Sequence, residues 1–196
     1  MDGHGRQGRP AYGTLRLHDS RDAVPAAQAP GGELVAAGHS RVEILGWLSE
    51  VADPEIPVLS ITDLGIVRDV EVNGGVTVAL APTYSGCPAT EVIEKSVVDA
   101  LRCRGIEGVR IKRVLTPAWT TDWISADGRR KLKAYGIAPP AEGGTKRELL
   151  FGERKIPCPR CESGNTRTVS EFGSTACKAS YQCNDCLEPF EYFKCI

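Results

Sequence analysis

A chain of 196 residues with 24 basic and 25 acidic side chains, net charge −1, has room for one ordinary domain and a small one. That balance creates no long-range field for nucleic acid or an anionic membrane. No apolar run approaches the roughly 18 residues of a bilayer-spanning helix, and the N-terminus leads into no hydrophobic signal segment, so the sequence predicts a cytoplasmic protein without a membrane partner.

Residues 1–38, rich in Gly, Pro, Ala and Arg without a sustained period, are expected to form a disordered leader. His4, His18 and His39 are expected to be solvated. An α+β domain is expected over 39–136. Ser40-Arg41-Val42-Glu43 is a capping-box pattern, followed by Val42, Leu45, Leu48 and Val51 at helical spacing, in a helix that stops before Pro54. A loop from Asp53 to Asp63 comes next. Strands are predicted over Ile66–Val72 and Val76–Leu80, joined by the hairpin signal Asn73-Gly74-Gly75.

The turn Pro82 to Thr90 then passes from a strand into a helix over Glu91–Arg102, with Val92, Ile93, Val97, Val98 and Leu101 as its apolar face. Pro88 suits the first helical position, because its missing N–H has no intrahelical partner. That places Cys87 at or beside the cap, where free amides and the helix dipole favour a thiolate. Free cysteine is as often a small buried apolar residue, so both readings stay open for Cys87. Val109, Ile111 and Val114 or Leu115 predict a third strand. The order α-β-β-α-β puts helices on one face of a small mixed sheet.

Trp119 and Trp123 are expected to pack. A short helix over Asp127–Tyr135 should end at Gly136. Its Arg129, Arg130, Lys131 and Lys133 are expected to be a solvated face rather than an anion-binding patch. Residues 137–155, with Pro139-Pro140 and Gly143-Gly144, look like a linker.

Residues 156–196 carry two CxxC knuckles, Cys158/Cys161 and Cys183/Cys186. Without a sign of export, the eight cysteines are better metal ligands or thiols than disulfide partners. Four soft thiolates on two tight turns suit structural zinc, and an iron–sulfur cluster is the competitor. Strands over Thr166–Phe172, Ala179–Gln182 and Phe190–Lys194 make the unit resemble a zinc ribbon. Its residue charges sum to −1, from Arg160, Arg167, Lys178 and Lys194 against Glu162, Glu171, Asp185, Glu188 and Glu191, which leaves no phosphate footprint. Phe190, Tyr192 and Phe193 are either protein-docking contacts or ribbon core. Cys177 is expected to be buried; Cys195 is left open.

Asp53-Pro54-Glu55-Ile56-Pro57, Asp63-Leu64-Gly65-Ile66-Val67 and Thr83 through Cys87-Pro88 together resemble the SufT-like iron–sulfur assembly domain, over about Arg41 to Leu115. Leu115 to Ser125, Gly136 to Pro140 and the cysteine tail are similar to one branch, the D-subunit family of the phenylacetyl-CoA epoxidase system (PaaD, also written PaaJ). The resemblance implies an accessory subunit in aerobic phenylacetate catabolism, a route of aromatic compound degradation. Such a subunit would assist maturation of an iron or iron–sulfur centre and have no independent catalytic activity. The implied partners are the other epoxidase subunits and a reductase carrying flavin and an iron–sulfur cluster. No Glu-x-x-His occurs, so the chain is not expected to carry a di-iron site. In this reading Cys87 is a transient soft ligand for iron or a cluster, Asp53 and Glu55 are hard ligands or proton acceptors, and Thr83 and Ser85 are hydrogen-bond donors. Asp63 is a turn residue. The alternative is a scaffold subunit of the same complex with no metal transfer. A hydrolase using Cys87 lacks a general base.

Overall fold

Ser40 opens the first helix as the capping box requires: Glu43 N–H donates to its Oγ, and its own N–H donates to Glu43 Oε2 at 2.8 Å. The computed structural model describes residues 38–140 and 156–194 apart from Ser85. The expected leader except Gly38, most of the expected linker, Ser85 and Cys195 therefore lie outside the described residues. Helix α1 covers Arg41–Leu48, buries Ile44 and Leu48, and ends five residues before Asp53. The chain leaves the helix early because Val51 and Asp53 pair instead with Ile61 and Leu59 (2.8–3.0 Å). The segment from Asp53 to Asp63 has no regular element, yet Ile56, Leu59 and Ile61 are almost fully buried. His39 is half-buried with its ring edge against Trp47, not a solvated tail histidine.

Strands β1 (Val67–Val72), β2 (Val76–Leu80) and β3 (Arg110–Arg113) form one sheet in that order, β1 and β2 antiparallel and β2 and β3 parallel. Helix α2 (Ala89–Arg102) is the crossover, burying Ala89, Ile93, Val97 and Leu101 at a spacing of one turn. Val92, expected on that face, is exposed. Helix α3 (Ala126–Tyr135) is capped by the Ser125 hydroxyl and ends at Gly136 with φ of 92°, a left-handed closure that suits glycine. Its four cations are all engaged: Arg129 with the Thr121 and Pro140 carbonyls, Arg130 with Asp127, Lys131 with Asp63, and Lys133 with Glu162.

The tail forms a second sheet in the order β4-β7-β6-β5, from β4 (Ile137–Ala138), β5 (Thr166–Ser170), β6 (Lys178–Cys183) and β7 (Pro189–Phe193). The expected linker thus begins as a strand: Ile137 and Ala138 are buried and pair in parallel with Glu191 and Tyr192. The two sheets share a core. Phe193 and Cys177 of the ribbon lie in the same buried cluster as Ile56, Leu64, Leu80 and Ile93. Trp119 is the keystone: its indole N–H donates to the Leu64 carbonyl at 2.8 Å, and its ring meets Phe193 edge-on. Phe190, Tyr192 and Phe193 are all buried, so they are core residues and not docking contacts.

Candidate metal-handling site

Three segments distant in sequence converge on one narrow cleft. The irregular segment supplies Asp53 and Glu55, the turn before α2 supplies Thr83 and Cys87, and the ribbon turn before β6 supplies Cys177. Each is fixed by its own local chemistry. Asp53 Oδ1 accepts the amides of Glu55 and Ile56 at 2.9 and 2.8 Å, closing an Asx-type turn that aims residue 55 at the cleft. Burial pushes its carboxyl above the usual carboxylate range, against the pull of those two amides and of Lys178.

Asp63 is not a member of the cleft. It is the hub that holds the loop: its Oδ2 accepts the Ser60 amide and hydroxyl and meets Lys131 Nζ at 2.8 Å, and its Oδ1 accepts from Ser125 Oγ. Burial raises its carboxyl, but the Lys131 and Ser60 hydrogen bonds outweigh that and hold it below the usual range.

Cys87 is half-exposed at the cleft and packs on the core beneath it. The expected amide cradle for its sulfur is not formed. The cap of α2 is Pro88, which has no N–H, and the Thr90 amide donates to the Cys87 carbonyl. Among the described residues no amide reaches Cys87 Sγ.

Cys177 is buried in the shared apolar core, as expected, and its thiol also meets two polar groups. Its thiol lies 3.5 Å from Glu55 Oε2 and 3.0 Å from Thr175 Oγ1. Burial pushes the Cys177 thiol up to about 11; the Glu55 carboxylate adds to this and the Thr175 hydroxyl offsets part of it. Tyr84 belongs to the same neighbourhood: burial, then the fields of Cys87, Glu55 and Cys177, raise its phenol. Sequence reasoning did not single out Tyr84, and no local signal marks it.

The ribbon cysteines are a different kind of site. Cys158, Cys161, Cys183 and Cys186 place their sulfurs within 4.8 Å of one another, and theirs is the one such cluster among the described residues. Two of the separations are 3.7 and 3.6 Å. A zinc–sulfur bond of about 2.3 Å in a tetrahedron sets sulfurs about 3.8 Å apart, so the donor set fits a single structural ion. A cluster, with sulfides between its irons, would hold the thiolates farther apart. Hydrogen bonds from the Cys186 and Asp185 amides draw Cys183 down to about 7, whereas, against a hydrogen bond from the Ser163 amide, the Cys186, Cys183 and Cys158 thiols and burial push Cys161 up to about 12. Asp53, Glu55, Thr83 and Cys87 make no such closed cage; they line an open cleft.

An α+β body with a cleft of thiols and carboxylates and a four-cysteine ribbon define a two-module protein with a zinc-ribbon tail. Residues 41–115 match the family described as iron-sulfur cluster assembly protein, and residues 142–194 match the PaaD zinc beta ribbon domain. A protein of Escherichia coli strain K12, provisionally named as the D-subunit of 1,2-phenylacetyl-CoA epoxidase, is 51% identical over 155 residues, covering 79% of this chain and 92% of that protein. The chain belongs to that D-subunit family. It is also 36% identical over 93 residues to the "Fe-S protein maturation auxiliary factor" of Porphyromonas gingivalis, covering 46% of this chain and 88% of that one. A crystal structure of a domain of unknown function, DUF59, from Bacillus anthracis aligns with 25% identity and a TM-score of 0.43, over 47% of this chain and 90% of that chain. No helix among the described residues is long and apolar enough to cross a membrane.

Proposed function

We propose that this chain is an accessory subunit of a phenylacetyl-CoA epoxidase system that helps load iron or an iron–sulfur centre into a partner, with the cleft as the transient holding place. The convergence of Cys87, Glu55, Asp53 and Thr83 on one cleft carries this reading, supported by the family membership and the maturation-factor relative. A soft thiol and hard carboxylates without a closed cage suit a cargo that must leave again. The ribbon's zinc, when bound, supplies a crosslink between two knuckles and no chemistry at the cleft. The partners in this reading are the other epoxidase subunits and the flavin and iron–sulfur reductase.

The test is cluster loading of the reductase in a reconstituted system. Cys87→Ser and Glu55→Gln should each slow loading while leaving the melting temperature and zinc content unchanged. Unaltered loading by a folded Cys87→Ser protein would rule out the thiol's role. A second reading, a docking subunit with no metal transfer, takes the same openness, no closed ligand set at the cleft among the described residues, to mean that nothing is held there. It predicts that both variants load normally and that only surface changes weaken complex formation.

A further inference from the structure

The outer strands of the two sheets, β1 and β3 in the body and β4 and β5 in the ribbon, have no further strand beside them among the described residues. An unpaired edge offers a row of amides and carbonyls to any other strand, and proteins guard such edges with charge or by keeping them short. β3 carries Arg110, Lys112 and Arg113, β1 carries Arg68, Asp69 and Glu71, and β4 is a buried strand of 2 residues. β5 is guarded in neither way. It is exposed from Arg167 to Ser170. Its register on β6 skips between Thr168 and Ser170, so Val169 has no partner there and is 57% exposed. Phe172, just past the strand, is 68% exposed, with the Lys194 ammonium over its ring. The two charges that flank Val169 are also unspent. Arg167 bonds to the Gln182 side chain and meets no carboxylate, and among the described residues no cation meets the Glu171 carboxylate, whose backbone carbonyl alone accepts from Lys194.

We propose that β5 pairs antiparallel with β5 of a second copy of this chain, about a two-fold axis at Val169. That register sets Val169 opposite Val169, Thr168 opposite Ser170, and Arg167 opposite Glu171. Because a two-fold contact repeats every pair, Arg167 and Glu171 of both copies gain a partner of opposite charge. Phe172 falls opposite Thr166 and is covered in part. A strand from a different protein would need an acid and a base at the same spacing and in the reverse order, which this chain's own β5 supplies. The same operation on β3 sets Arg110 opposite Arg113, cation against cation, so that edge repels its copy. A strand of 5 residues makes a contact smaller than a standard stable interface, so the dimer is weak and depends on concentration.

Sedimentation velocity on the zinc-loaded full chain over a wide range of concentration tests this, with amide hydrogen exchange of β5 read in parallel. The wild type should approach twice the monomer mass as concentration rises, and its β5 amides should exchange more slowly at the high end. Arg167→Glu and Glu171→Arg should each weaken association by at least about tenfold, because two attractive cross-strand pairs become repulsive. The double variant, Arg167→Glu with Glu171→Arg, puts opposite charges face to face again and should recover to within about threefold of the wild type. Zinc content and melting temperature report whether each variant is folded. A wild type that stays monomeric, folded single variants that associate as well as the wild type, or a double variant no better than either single would overturn the pairing.

Discussion

The body and the ribbon solve the same stability problem by different means. The body buries a continuous set of aliphatic side chains from its three helices, the irregular loop and the sheet. The ribbon's own cluster is only Ala138, Ile156, Cys158, Cys183, Phe190 and Tyr192, and two of those six are metal ligands. A module of that size cannot offset its chain entropy by burial alone. It draws on a metal and on its neighbour, to whose core it contributes Phe193 and Cys177. The lesson is that the ribbon is not an appendage: its fold, its contact with the body and the cleft are coupled.

Removing the metal should break this comparison most severely. Chelation, or Cys158→Ser, forfeits apparent metal-binding free energy of about 10–16 kcal/mol and should unfold the ribbon. Because Phe193 and Cys177 leave the shared core, the body should also melt at a lower temperature, measurable by calorimetry on the full chain. A body that melts unchanged would mean that the modules are independent.

Next in size is Trp119→Ala, which should destabilise by about 3–5 kcal/mol in urea denaturation. Trp119→Phe keeps most of the ring but strands the buried Leu64 carbonyl, so a cost of about 1–3 kcal/mol is expected. Gly65 and Gly74 offer a sharper pair. Both have positive φ, 66° and 63°, but a Cβ on Gly65 would lie 2.5 Å from the Trp123 carbonyl oxygen, whereas one on Gly74 would meet nothing. Gly74→Ala should cost about 1–2 kcal/mol from the backbone alone. Gly65→Ala should cost clearly more, because the backbone of Trp123 must move.

The smallest expected effect is Asp53→Asn. The amide oxygen still accepts from Glu55 and Ile56, and the variant is neutral at every pH. The Asp53 carboxyl is raised by burial, so folding favours its protonated form. Its contribution to stability is therefore full below the usual carboxylate range and is lost as pH climbs from there through the raised folded value. Stability of the variant at neutral pH should be within about 1 kcal/mol of the wild type, and that part of the pH slope should vanish.

Much of this was legible in the sequence because local rules dominate there. The Ser40 box, the Asn73-Gly74-Gly75 hairpin, the Gly136 closure and the two knuckles each depend on residues close together in the chain. The order α-β-β-α-β follows from periodicity together with these local signals. What escaped was set by long-range packing. Nothing near Ile137 says that it will pair with Glu191, 54 positions away. Phe193 reads as surface or core alike until Trp119, 74 positions earlier, is placed against it. Asp63 reads as a turn residue because its partners Ser125 and Lys131 lie more than 60 positions on. Asp53, Glu55, Thr83 and Cys87 were picked from sequence and do share a cleft, whereas Cys177, 122 positions from Glu55, had no signal linking it to them.

The central claim is that Cys87 is open at an iron-holding cleft. Anaerobic iodoacetamide labelling of the folded, zinc-loaded chain, followed by peptide mass spectrometry, tests it most directly. The account predicts that Cys87 labels before unfolding, that Cys177 labels far more slowly, and that ferrous iron protects Cys87. A Cys87 that labels only on unfolding, or at the same rate with and without iron, would contradict it.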